Sequence, residues 1–205
     1  YYHILLKIHS HIILLFLQTH INLMSFSTIL IDWYLKNKRE LPWRNTTNPY
    51  HIWLSEIILQ QTRVNQGLPY FESFTSNFPS INDLANATED EVLKLWQGLG
   101  YYSRARNLHA TAKFISANLN GIFPKQYDEI IKLKGIGPYT AAAIASFAYK
   151  EQVAVVDGNV FRVISRYFGM FDDISTSKTR NVFQDLANEL ICKINPDLFN
   201  QAIMD

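Results

Sequence analysis

The sequence predicts an all-α fold of two lobes with a cleft between them, and three observations carry that expectation. Apolar residues recur at three- and four-residue spacing from Ser25 onward. Pro and Gly punctuate the chain at intervals of about 10 to 20 residues, which suits helices and is long for strands. Alternation of β-branched residues is confined to VAVVDG at 153–158, which reads as a short extended link into a helix beginning near Asn159. With 205 residues and 48% hydrophobic types, the chain can build one substantial core or two small helical lobes. A central lobe is expected over 50–149, with two helices joined by a tight hairpin at 128–148. The flanks 25–49 and 150–205 are each too small to hold a core and are expected to pair as the second lobe.

Residues 1–24 stand apart. They lack an initiating Met, and their longest apolar run, Ile12 to Leu17, is too short to cross a bilayer, which needs about 20 apolar residues. His3, His9, His11 and His20 have no Asp, Glu or Cys beside them, so a metal site is disfavoured, and no small-residue cleavage pattern follows the apolar run. The segment reads as a non-native or upstream extension, with the true start at Met24.

Charge narrows the partners. Nineteen Lys and Arg face eighteen Asp and Glu, a formal net charge of +1, so a polyanion would have to be held by local patches and backbone donors. The single cysteine, Cys192, excludes an internal disulfide framework and an all-cysteine metal site, and fits a reducing compartment.

Taken along the chain, the first segment with chemical character is HIWLSEIILQQTRVNQ, read as one helix from His51 to Gln66. Glu56 shares a face with Ile52, Trp53, Leu59 and Gln60 at three- and four-residue offsets. A carboxyl group in that company loses solvation and is expected to titrate high, as a general acid working near neutral pH requires. The alternative is a boundary residue paired with Arg63. Gln60 and Gln61 offer neutral amides able to reach base edges. From Lys94 to Lys113 the chain carries Lys94, Arg104, Arg106 and Lys113 and no acid, a local charge of +4. Tyr101 and Tyr102 are interleaved in GLGYYSRARNLH, a pattern suited to DNA, where charge holds phosphates and a ring wedges the stack. A solvated helix face explains the same residues more plainly.

The hairpin LKGIGPYTAAAIASFAY, 133–149, places Gly135 and Gly137 around a buried Ile136, with Pro138 at a helix start. Backbone amides at such a start can hold one phosphate without reading sequence, with Lys134 beside them; an ordinary helix-helix turn is the alternative. Asp157, before Gly158, fits a helix N-cap whose amides would stabilise its ionised form. A protonated Glu56 and an ionised Asp157 would form the unequal carboxyl pair that glycosidic chemistry uses. Asp157 as a cap and nothing more remains open at this point.

Six segments together carry a family resemblance: LPWR at 41–44, PYHIWLSEIILQQTRV at 49–64, LWQGLGYYSRARNLH at 95–109, LKGIGPYTAAAIAS at 133–146, VVDGNVFRV at 155–163 and FNQAIMD at 199–205. In this order they resemble the MutY-type adenine DNA glycosylases of the helix-hairpin-helix glycosylase superfamily, over about residues 25–205. The resemblance implies hydrolysis of the N-glycosidic bond of adenine mispaired with 8-oxoguanine or guanine in double-stranded DNA. It implies Glu56 as the acid that protonates the base and Asp157 as the carboxylate that stabilises the sugar cation. It places Arg44 beside the bound base and Tyr139 in the lining of the active-site pocket, has Asn159 help order the site, and puts Gln201 at the adenine edge. Gln60 and Tyr101 probe the opened duplex, and Gln61, Arg104, Arg106, Lys134, Gly135 and Gly137 complete the DNA-binding set. It also implies a monomer of the bacterial cytoplasm, associated with the nucleoid through DNA and with no membrane role.

Departures matter as much. Endonuclease-III-like relatives place a lysine nucleophile at the hairpin position held here by Tyr139, which has no amine to form an imine. A helix-hairpin-helix DNA-binding module without catalysis would need neither acid. The family continues past FNQAIMD into four cysteines that hold a 4Fe-4S cluster, and this chain stops at Asp205. One thiolate cannot build a cluster, so no metal or cofactor is expected within the chain, and the cluster ligands are expected beyond Asp205. The chain is expected to be a truncated product with weak or no activity by itself and poor discrimination of 8-oxoguanine from guanine.

Overall fold

The computed structural model describes residues 26–205, and the segment 1–24 with its four histidines lies outside the described residues. Among the described residues every regular element is helical, as the spacing predicts. Chain contacts divide the molecule into two units, Arg39–Val155 and a second made of Val156–Asp205 with the N-terminal residues up to Lys38.

The Arg39–Val155 unit opens with a 3-10 turn, Pro42–Arg44, followed by α2 (Pro49–Leu59), α3 (Val64–Asn77), α4 (Ile81–Asn86), α5 (Glu89–Trp96), α6 (Ser103–Asn118), α7 (Tyr127–Ile130) and α8 (Pro138–Tyr149). Helix α2 is apolar nearly all round, with Ile52, Trp53, Leu54 and Ile58 at most 1% exposed, and therefore runs through the middle of the unit against α3 and α8. The alanines of α8, Ala141, Ala142, Ala143 and Ala145, are buried and let that helix approach closely. Gly67 serves the same end on α3, where a β-carbon would lie 2.8 Å from a methyl of Leu59. Capping boxes at Ser80/Asp83 and Thr88/Glu91 start α4 and α5, and α4 and α5 then pack on α6 around Leu84, Val92, Trp96, Leu108 and Ile115.

Three expectations need correction here. Residues 39–49, grouped above with the flanks, belong with the central unit because Leu41 and Trp43 sit in its core, Trp43 against Phe71 at 5.1 Å. Pro69, one of the prolines expected to interrupt the helical pattern, lies inside α3. It faces outward, as does Asn65, whose carbonyl would have bonded the missing N–H, so water can satisfy that group. The helix expected over 51–66 ends at Leu59, and Gln60 and Gln61 stand in the turn before α3, with Gln61 in the left-handed region at φ 56°.

The second unit holds a helix over 26–37 (α1), α9 (Gly158–Phe168), α10 (Ser177–Leu190) and α11 (Pro196–Met204). Phe26 of α1 packs against Tyr167, Phe168 and Phe199, and Phe161 meets Phe183 at 5.0 Å, so aromatic side chains join all four helices. The segment 151–157 is non-helical and runs into α9, as VAVVDG suggests, with the helix starting at Gly158.

Candidate active site and nucleic-acid interface

Glu56 is held by α2. Asn48 caps the helix by accepting from the Tyr50 amide, and Pro49 supplies the first turn, so the register that turns Glu56 inward is set seven residues earlier. The residue is 9% exposed, flanked by Ile52 and Trp53 at 1% each, so the apolar company predicted from the spacing is present. Arg44 lies half-buried at the end of the 3-10 turn and donates Nη1 to the Arg39 carbonyl at 3.3 Å. Tyr139 stands in the first turn of α8, half-buried.

The hairpin before α8 is built as expected and anchored by residues the sequence reading missed. Gly135 has φ 78°, and Gly137 is the N-cap of α8, where no side chain caps the helix start. The Thr111 hydroxyl donates to the Lys134 carbonyl at 2.7 Å, and Asn107 packs so tightly that a β-carbon on Gly135 would lie 2.7 Å from its own. Arg104, Asn107 and Thr111 follow an i, i+3, i+7 pattern on α6, a stripe that could have been read as one face. A small pocket lined by Trp53, Gln60, Arg104, Asn107, Lys134 and Gly135 joins the end of α2, the start of α6 and the hairpin, so four of the predicted DNA-binding residues do come together.

Two of the predicted basic residues are differently employed. Arg104 was expected to hold phosphate. Its Nη1 donates instead to the carbonyls of Ile57, Ile58 and Gln60, at 2.9, 3.2 and 2.6 Å, and its Nη2 to those of Leu99 and Gly100, at 3.1 and 3.4 Å. Burial lowers its pKa and the neighbouring Tyr101 opposes that shift. Arg106 forms an ion pair with Glu89 at 3.0 Å, exposed on both sides, so its charge is offset by an acid outside the segment counted above. Tyr101 is 66% exposed and Gln61 is exposed, both well placed to meet a ligand from solvent.

In the second unit, Asp157 caps α9. Its Oδ1 accepts from the amides of Asn159 and Val160, both at 2.8 Å, and its Oδ2 accepts from Asn159 Nδ2 at 3.1 Å. Asn159 Oδ1 in turn accepts from Arg162, whose Nε donates to the Gly158 carbonyl. The carboxylate is thus fixed by three donors, two of them from Asn159. Gln201 is oriented by Tyr34, whose hydroxyl donates to Gln201 Oε1 at 2.7 Å, which leaves Nε2 as the donor end of the amide.

With this geometry in view, residues 54–189 match the model of the HhH-GPD superfamily of base excision DNA repair proteins, a span that contains Glu56, the hairpin and Asp157. The chain belongs to that family. Among relatives of this HhH-GPD chain is an adenine DNA glycosylase of Buchnera aphidicola from Acyrthosiphon pisum, 41% identical over 181 residues, covering 88% of this chain and 52% of that protein. An adenine DNA glycosylase of Arabidopsis thaliana is 41% identical over 202 residues, covering 86% of this chain and 32% of that one. A solved thermostable thymine-DNA glycosylase superposes with a TM-score of 0.83 at 27% identity, covering 91% of this chain and 86% of that one. The chain spans about half the length of the Buchnera relative.

The iron-sulfur cluster that the resemblance implies does not fit the residues present. Cys192 is the chain's only thiol, and no group of three or more His, Cys, Asp or Glu among the described residues could hold a metal ion. No helix among the described residues is long and apolar enough to cross a membrane.

The hairpin of this HhH-GPD chain yields a direct prediction. Gly135→Ala forces a side chain into the left-handed region and against Asn107, and should cost about 1–3 kcal/mol of unfolding free energy. Chemical denaturation checks the loss, and duplex binding of the refolded variant should weaken with it. Unchanged stability would mean that the loop relaxes freely.

Proposed function

We propose that this chain carries the catalytic core of an adenine DNA glycosylase, hydrolysing the N-glycosidic bond of adenine opposite 8-oxoguanine or guanine in duplex DNA. The observation that carries this reading is Glu56, a carboxyl group buried among Ile52 and Trp53 within a family of base excision repair proteins. The curated adenine DNA glycosylases that match across most of the chain support the choice of base.

In this reading the target adenosine leaves the stack, an extrusion that costs a few kcal/mol and is cheapest at a mispair. Glu56 gives its proton to a ring nitrogen of the adenine, so the C1′–N9 bond breaks with its electron pair leaving on a neutral base. The Asp157 carboxylate stabilises the sugar cation; water then adds to C1′ and releases a proton. Arg44 stands beside the base, Tyr139 lines the pocket, Gln201 addresses the adenine edge through Nε2, and Asn159 keeps Asp157 in place. Lys134, Gly135 and Gly137 meet a phosphate of the backbone, while Gln60, Gln61 and Tyr101 probe the opened duplex. Tyr139 argues against the lyase branch, since a phenol cannot form the imine that strand cleavage needs.

The test is single-turnover base release with protein in excess, so that a slow rate is still read. Duplexes carry A opposite 8-oxoguanine, A opposite guanine, and T opposite guanine. Adenine release from the first two, with strand breaks only after alkali, is expected. Thymine release alone, or direct strand cleavage through an imine trapped by borohydride, would overturn the reading.

A further inference from the structure

We propose that Arg104 is a positioning residue that clamps together the two loops presenting Gln60, Gln61 and Tyr101, and so sets the geometry with which an opened duplex is probed. The inference rests on the adenine glycosylase reading for its consequence, though not for its structural part.

The clamp is visible in the hydrogen bonds. One guanidinium donates to five backbone carbonyls, three at the end of α2 and two in the Leu99–Gly100 turn. A helix end leaves its last carbonyls without partners, and here a side chain from 44 residues further along the chain takes the place of the next turn. Trp96 and Tyr101 stack on the guanidinium at 5.1 and 5.8 Å, so the cation is held by two rings as well. Trp96 adds an indole donor to the Gly100 carbonyl at 2.9 Å.

The residues immediately after the clamped carbonyls identify what the clamp is for. Gln61 follows Gln60 and Tyr101 follows Gly100, and both hold positive φ, 56° and 45°. Side-chain-bearing residues seldom adopt this conformation unless the surroundings over-determine it, and such positions cluster where function needs a fixed geometry. Both side chains are exposed, so no core packing rewards the strain. An ammonium group cannot replace the guanidinium here, because its three donors diverge from one point, whereas the carbonyls of the two loops are met by two separate nitrogens, Nη1 and Nη2.

The experiment compares the full 205-residue wild type with R104K and R104A by amide hydrogen exchange and by duplex binding. Exchange at residues 58–62 and 99–103 should accelerate on the order of tenfold or more in both variants while α8 keeps its protection. The preference for the A·8-oxoguanine mispair over a fully paired duplex should fall with an unchanged slope of log affinity against log salt. A phosphate contact behaves in the opposite way: Lys would serve as well as Arg, and Ala would lower the slope by about 0.9. Retained protection in R104K, or that slope change, would overturn the proposal, as would global unfolding of both variants, which would make Arg104 a general structural residue. Should the wild type show no mispair preference, the glycosylase reading suffers, while the exchange measurement still decides whether the clamp exists.

Discussion

Replacing Glu56 with Gln should abolish adenine release while leaving the affinity for the mispaired duplex within a few-fold of wild type. The amide matches the carboxyl group in size, so the shell of Ile52 and Trp53 around α2 need not repack. What the variant lacks is a proton to give. Protonation converts a poor anionic leaving group into a neutral base, and general acid catalysis of this kind is worth about 100- to 10,000-fold in rate. Single-turnover release should therefore fall by about that factor or to background, and thermal unfolding should shift little. Release within about tenfold of wild type would remove Glu56 from the chemistry and leave it as a buried polar residue. The Gln variant separates the enzyme reading from a DNA-binding module, because binding by the hairpin needs no acid on α2.

Asp157 calls for two variants, because the proposed function gives it a second task beside the helix cap it forms. Asp157→Asn keeps an oxygen to accept from the amides of Asn159 and Val160, and Asn caps helices as well as Asp does. It loses the negative charge and the bond from Asn159 Nδ2. Its melting temperature should stay close to wild type, while adenine release falls at least about 100-fold for want of a counter-ion to the sugar cation. Asp157→Ala should lose the same activity and also about 0.5–2 kcal/mol of stability, the ordinary value of an N-cap. Thermal unfolding beside single-turnover rates resolves the two roles. Wild-type release in the Asn variant would make Asp157 a cap and nothing more.

Much of the site was readable from local pattern. The burial of Glu56 followed from the apolar residues one turn away on either side, since a helix places those positions on one face. The capping by Asp157 followed from its place before Gly158 at the start of an amphipathic stretch. The hairpin followed from two glycines around one apolar residue with a proline behind them. Each inference needs only the chain within a few residues, and each agrees with the burial, the helix bounds and the capping bonds found.

What the sequence determined unaided was therefore the all-helical fold, the inward register of α2 and the turn chemistry of the hairpin, because these are decided by neighbours in the chain. Only the tertiary structure decided where α2 stops and what Arg104 does. The helix continues in sequence pattern through Gln66, yet it ends at Leu59, where a guanidinium from α6 satisfies carbonyls that a further turn would have bonded. That same bonding turns a residue counted as surface charge into a backbone clamp. Arg106 likewise meets Glu89 across a helix boundary, and Leu41 and Trp43 pack into the core of a unit that their sequence neighbours do not reveal. Hydrogen bonds and packing between residues tens of positions apart follow from how the helices stack, and no local periodicity records them.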